Sequence, residues 1–208
     1  PDFSPFIFVG GLEMATQFGG HIYNVGRQAQ DNYSLRVGTK DFWYAFWGKG
    51  GSDPTDGAGY ENSAGNTLGA WRAALTYRHP AGAWSVKAYY DHYFEDQSQL
   101  FFQYGWYDGL WGIEFNLPRN RFVSTLVGEY VRMDHQSGPV YHDHTPQVPD
   151  QVSGVDNYYN HNLYQGWQNY GRSMGNALFA SPIYKRDGTL DFSYNRFRTY
   201  HFGLAGQP

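Results

Sequence analysis

A long alternation with a period of two constrains this chain more than any other feature. In "LGAWRAALTYR" (68–78), Trp71, Ala73, Leu75 and Tyr77 share one phase, and Arg72, Ala74, Thr76 and Arg78 share the other. After "HPAGA" (79–83) the pattern restarts, with Trp84, Val86, Ala88 and Tyr90 set against Ser85, Lys87, Tyr89 and Asp91. Residues 110–117 repeat it, placing Trp111, Ile113 and Phe115 opposite Gly112, Glu114 and Asn116. A period of two specifies pleated strands with two unlike faces. What each face meets is the functional question.

Strands are expected near 6–18, 33–48, 67–79, 83–95, 110–117, 122–134 and 190–205. Two joins, "RHPAGA" (78–83) and "NLPRNR" (116–121), are tight turns built on Pro, Gly and Asn. The alternate joins, near 48–66, 95–109 and 134–191, are long. Short and long joins in alternation describe an up-and-down barrel threaded through an outer membrane, with turns on one side and loops on the other. Strand length points the same way. Leu68 to Arg78 spans eleven residues, whereas a tilted membrane strand needs about 9–11 and strands in soluble domains centre near 5–6. Aromatic residues end the apolar phase, Trp71 with Tyr77 and Trp84 with Tyr90, as two interfacial girdles would require.

Composition removes several alternatives. Fifteen Lys+Arg against 19 Asp+Glu leave a net charge of −4, with no basic block to neutralise phosphates, so no nucleic-acid partner is expected. No apolar run approaches the roughly 18–20 residues of a spanning helix, and mean hydropathy is −0.63. Alternating strands average out in such a measure, so it is blind to barrels. There are no cysteines and hence no disulfide framework. Aromatic residues make up 20 % of the chain, a density suited to a membrane interface or a sugar-stacking surface. A soluble β-sandwich also alternates, apolar inward and polar outward, and stays open as an alternative. The barrel reading places Arg72, Arg78, Lys87, Asp91, Glu114 and Glu129 in a wet lumen, as an ion-paired layer, and the Trp/Tyr/Val phase against lipid.

The segments "FEDQS" (94–98), "DGLWGIEF" (108–115), "DHQSGP" (134–139), "GVDNYYNHNLYQGWQNYGRSMGN" (154–176), "SPIYKRDG" (181–188) and "YNRFRTYHFGLAG" (194–206), in this order, closely resemble the Wzi-like capsule-assembly family of Gram-negative outer membranes. The likeness runs roughly from Gly38 to Gly206 and lies in the blocks taken together. It implies an all-β chain, an antiparallel up-and-down transmembrane β-barrel of which residues 1–208 form one internal portion. It also implies a non-enzymatic role in holding or assembling surface polysaccharide. The partners it implies are outer-membrane lipid, the polysaccharide and other envelope proteins. An outer-membrane channel or transport-complex subunit for oligosaccharides is the alternative within the same architecture.

The loop "DNYYNHNLYQGWQNYG" supplies glycan-binding candidates: Asp156, Asn157, Tyr158, Tyr159, Asn160, Tyr164, Trp167 and Tyr170. Flat rings stack on sugars, and Asn and Asp match hydroxyl donors and acceptors. The same residue types also knit long loops together. "YHDHTP" sets His142 and His144 on one side of an extended segment around Asp143, with Asp134 and His135 nearby. Nothing fixes the four ligands of a closed metal site, so no metal or other cofactor is expected. Glu95 and Asp96, with Glu114 and Glu129 on neighbouring strands, offer the carboxylates a glycosidase would need. Adjacent carboxylates at a strand end more often cap loops or pair with arginine in a lumen, so no enzyme is expected. No Gly-x-Ser-x-Gly, His-Glu-x-x-His or phosphate-binding glycine loop is present.

Overall fold

The computed structural model describes residues 4–22, 33–35, 37–47, 65–95, 99–102, 105–135, 158–161 and 164–206. These residues are mostly antiparallel β-sheet. Strands β1 (Phe6–Phe18), β4 (Gly65–Arg78), β5 (Ser85–Glu95), β6 (Gly109–Asn116), β7 (Thr125–Arg132) and β10 (Arg198–Ala205) form one sheet in the order β1-β4-β5-β6-β7-β10. Every pairing is antiparallel. Among the described residues this meander is open, with β1 and β10 as its edges. The smaller pairs are β2 (Gly20–Ile22) with β3 (Tyr33–Leu35), and β8 (Gln168–Asn169) with β9 (Arg172–Ser173).

Register fixes two opposed faces. On one lie Glu13, Arg72, Lys87, Tyr89, Asp91, Glu114, Glu129 and His201. On the other, successive cross-strand rows run Phe6-Tyr77-Val86-Phe115-Leu126-Leu204, then Phe8-Leu75-Ala88-Ile113-Gly128-Phe202, then Gly10-Ala73-Tyr90-Trp111-Tyr130-Tyr200. No charged residue interrupts these three rows. The apolar face is open to its surroundings, with Phe8, Phe202 and Leu204 each more than 70 % exposed. It is the charged face that encloses space. A cavity of about 920 Å³ is lined both by Leu12–Ala15 of β1 and by His201 of β10. In a flat sheet these edge strands would stand about 24 Å apart, five spacings of about 4.8 Å. The sheet therefore curves around its charged side.

Two departures from the sequence expectations have clear causes. The strand expected over 33–48 is only β3, followed by the helix α1 (Thr39–Phe46). "DFWYAFWG" is apolar in both strand phases, so it lacks the period of two. Its rings at 42, 43, 46 and 47 instead follow helical spacing, and Asp41 sits in the first turn, where the helix dipole favours a negative charge. The helix lies directly on β4. Ala45 is fully buried, a Cβ on Gly65 would come 2.7 Å from that of Ala45, and Thr67 donates to the Ala45 carbonyl at 2.5 Å. The second departure is at the other end, where the strand expected over 190–205 begins only at Arg198. Residues 190–197 belong instead to the structure built over the sheet.

One glycine governs the charged face. The Tyr89 ring lies over Gly112, where a Cβ would come 2.1 Å from the ring. Tyr89 thereby reaches past β6 to donate to Glu129 of β7 at 2.5 Å. Lys87 stands over the same ring, 4.8 Å from its centroid. Gly112→Ala is expected to displace the ring and destabilise the fold by about 1–3 kcal/mol. Gly11→Ala, where nothing lies within 4 Å of the added carbon, is expected to stay within about 0.5 kcal/mol of the parent. Denaturant unfolding of both variants checks the difference.

Candidate functional site

The long segment after β7 is a folded layer seated on the loop end of the charged face, where that face turns apolar. Tyr158, Tyr159, Trp167, Phe179 and Phe192 form a buried cluster with Val131 and Met133, and Leu68, Tyr93, Leu110 and Phe197 pack against it. The Tyr159 and Phe179 rings stack at 3.8 Å between centroids, and Tyr158 stacks on both. Full burial of such rings typically stabilises by about 1.5–3 kcal/mol each.

Polar side chains hold this layer in register with the strands. The Glu95 carboxylate accepts the Tyr159 backbone N–H at 3.0 Å. The Trp167 indole donates to Asn66 at 3.1 Å. Asn160 donates to the Phe192 carbonyl at 2.9 Å and accepts the Phe192 N–H at 2.7 Å, while Asn195 donates to the Tyr158 carbonyl at 2.6 Å. Each bond satisfies a backbone or side-chain group that burial would otherwise leave without water. Where β7 ends, Asp134 accepts from Arg132 and from Arg198, tying the exit of β7 to the start of β10. Burial acts to raise the Asp134 pKa, but the two arginine hydrogen bonds outweigh it and hold the carboxyl below the usual range.

The candidate glycan residues thus divide. Tyr158, Tyr159 and Trp167 are at most 4 % exposed and cannot stack on an external sugar; their rings are spent on the core of the layer. Asn160 is occupied with Phe192, and Tyr164 is partly buried beside His161. Among the described members of the group, Tyr170 alone projects outward, 92 % exposed. Asp156 and Asn157 lie outside the described residues, as do Asp96, His142, Asp143 and His144. Among the described residues no group of three or more His, Asp or Glu side chains is placed to hold a metal.

The expected lumen charges share one face. Arg72 pairs with Glu13 at 2.9 Å and with Asp91 at 3.6 Å, and Lys87 pairs with Glu114 at 3.9 Å. Asn116 donates to Glu114 and accepts from Thr125. Glu129 takes the Tyr89 hydroxyl and lies 3.5 Å from His201. Arg78 keeps the same phase but is exposed at the turn end, outside this network among the described residues. Of the carboxylates considered for glycoside cleavage, the three described are engaged: Glu95 by the loop backbone, Glu114 by Lys87 and Asn116, Glu129 by Tyr89. Sequence reasoning missed Glu13, Tyr89 and His201. Register against Arg72, Lys87 and Glu129 was the signal that could have found them.

At the loop end of the apolar face, α1 and residues 99–102 add a collar of rings. Phe18, Phe42, Trp43, Phe46 and Trp47 meet edge to face or stacked, and Trp47 stacks on Phe101. Below it Tyr90, Trp111, Tyr130 and Tyr200 stack in one unbroken row across four strands, at 4.9–5.6 Å between neighbours. Toward the turns, Phe6, Tyr77, Trp84 and Phe115 form a second row. Between the rows lie only Leu, Ile, Ala, Val, Phe and Gly. Comparison with protein-family models, with curated proteins and with solved structures finds no match for this chain.

The buried tyrosines give the layer a pH limit. Burial, and then the nearby Glu95, raise the Tyr158 pKa well above its ordinary value. Burial pushes Tyr159 up to about 12, against the hydrogen bond its hydroxyl accepts from the Asn176 N–H. An acid whose folded pKa is raised stabilises the fold below its unfolded value of about 10, and that stability is lost as pH rises through the folded one. The layer is expected to loosen between pH 10 and 12. Tyr159→Phe should cost about 1 kcal/mol at neutral pH and flatten that alkaline loss. Phe179→Ala should cost about 3–5 kcal/mol at any pH. Unfolding midpoints measured across pH for the three proteins check both.

Proposed function

We propose that this chain belongs to an outer-membrane β-barrel of a Gram-negative cell, which holds or organises surface polysaccharide without catalysing a reaction. One observation carries the reading: an exposed face without charged side chains, its apolar middle bounded by two rows of aromatic rings in contact. Hydrocarbon with a ring-rich interface on either side is the surrounding that such a face fits. A soluble sandwich would need a second sheet to cover this face. Strand length adds support. β1 has 13 residues, β4 has 14 and β5 has 11, enough to cross a bilayer, and the Met133–Phe197 and Ser124–Ala205 hydrogen bonds extend the β7–β10 pair at both ends.

The Wzi-like resemblance supplies the polysaccharide role, and the loop layer supports a holding function over conduction. In the proposed barrel the folded cluster around Tyr159 caps the loop end of the lumen, and the ion pairs of Arg72, Lys87, Glu114 and Glu129 stiffen its wall. The cavity on the charged side favours a second reading, a channel for oligosaccharides. Conductance of the purified protein in planar bilayers separates the two, since a capped barrel passes no steady current.

The intact protein is expected to stay with the outer membrane through carbonate extraction, and to migrate faster on a gel unheated than boiled. A strain lacking it is expected to shed polysaccharide into the medium while total synthesis stays constant. Undiminished cell-bound polysaccharide in that strain would refute the holding role, and release of the protein by carbonate would refute the barrel.

A further inference from the structure

The geometry points to a binding site for an acidic, uronate-bearing polysaccharide on the outer surface of the loop layer, formed by Tyr170, Tyr184, Arg172 and Arg186. It rests on the glycan reading above and gives that reading an address and a ligand class.

Tyr170 and Gly171 form the two-residue turn between β8 and β9, and both have left-handed backbones, with φ of 50° and 77°. Such turns favour Asn-Gly. The glycine suits its left-handed φ, and a Cβ there would also crowd the Ile183 side chain at 3.1 Å. The tyrosine does not suit its own. It is 92 % exposed, and its ring meets no other ring among the described residues. A strained conformation that packing does not repay directs attention to an outside partner.

Residues 182–184 form a single 3-10 turn seated against β9 and the β8–β9 turn. Ser173 bonds to Ser181 through both its backbone N–H and its hydroxyl, and the Ile183 N–H donates to the Gly171 carbonyl at 2.7 Å. That bond joins the chain neighbours of Tyr170 and Tyr184, bringing the two tyrosines to one patch; Tyr184 is itself 84 % exposed. Each tyrosine is followed two residues later by an exposed arginine, Tyr170-Gly171-Arg172 and Tyr184-Lys185-Arg186. Neither arginine has an ion-pair partner among the described residues. Lys185, in contrast, is held by Asp187 and Asp191. Counting Arg172, Lys185 and Arg186 against Asp187 and Asp191 leaves one positive charge here (3 − 2), on a chain of net charge −4. Two open ring faces take sugar rings, and two unpaired guanidinium forks take carboxylates.

The test measures binding of oligogalacturonate, and of a neutral maltooligosaccharide of equal length, to the full chain in detergent micelles. The parent is expected to prefer the acidic probe, with an affinity that falls as salt rises. Tyr184→Ala and Tyr170→Asn are each expected to weaken binding about tenfold, and Arg172→Gln with Arg186→Gln to abolish the preference for acid. Tyr170→Asn is also expected to raise the unfolding midpoint, because asparagine accepts the left-handed turn. Loss of binding in this variant is then not loss of fold. Full acidic-probe binding by both tyrosine variants would overturn this site and leave the glycan reading standing. Equal affinity of the parent for both probes would overturn the acidic ligand class. Binding of neither probe would overturn the glycan reading together with the site.

Discussion

A strand has two sides, and this sheet curls its charged side inward. That choice sets the rest. The carboxylates, Arg72 and Lys87 pair across strands on the side that lines the cavity. Isolated charges in a dry interior would cost several kcal/mol each. The leucine, isoleucine and aromatic side chains are left facing outward over a continuous surface. In water an apolar area extending over several strands invites association. Against hydrocarbon it is the expected covering.

The loop layer depends on the same curvature. Its rings fill the apolar end of the inner face, where Leu68, Tyr93, Leu110 and Val131 replace charges, and asparagines complete its hydrogen bonds. Aromatic and asparagine-rich sequence here serves first to seat the segment on the strands. Among the described residues, the surface left open after that seating includes the turn at Tyr170 and the short 3-10 turn at Tyr184.

Much of this was legible along the chain. Period-two alternation located β1, β4, β5, β6 and β7 to within a few residues, and phase alone put Arg72, Lys87, Asp91, Glu114 and Glu129 on one face. Other features were not, for physical reasons. A run apolar in every direction, such as "DFWYAFWG", carries no strand phase, and its helix is fixed by contact with Gly65 and Thr67. Burial of Tyr159 and Trp167 depends on Glu95 and Asn66, 64 and 101 residues away in the chain, and composition cannot distinguish a buried ring from an open one. The reach of Tyr89 over Gly112 is likewise a tertiary contact that neither residue announces by itself.

What touches the apolar face can be measured directly. Spin labels placed singly at Leu75, Ile113 and Phe202, and for contrast at Lys87 and Glu114, can be exposed to oxygen, which concentrates in acyl chains, and to a water-soluble nickel complex. The expected result is relaxation by oxygen alone at the first three positions and by nickel at the last two. Strong relaxation by nickel at 75, 113 and 202 in the membrane-reconstituted protein would contradict it.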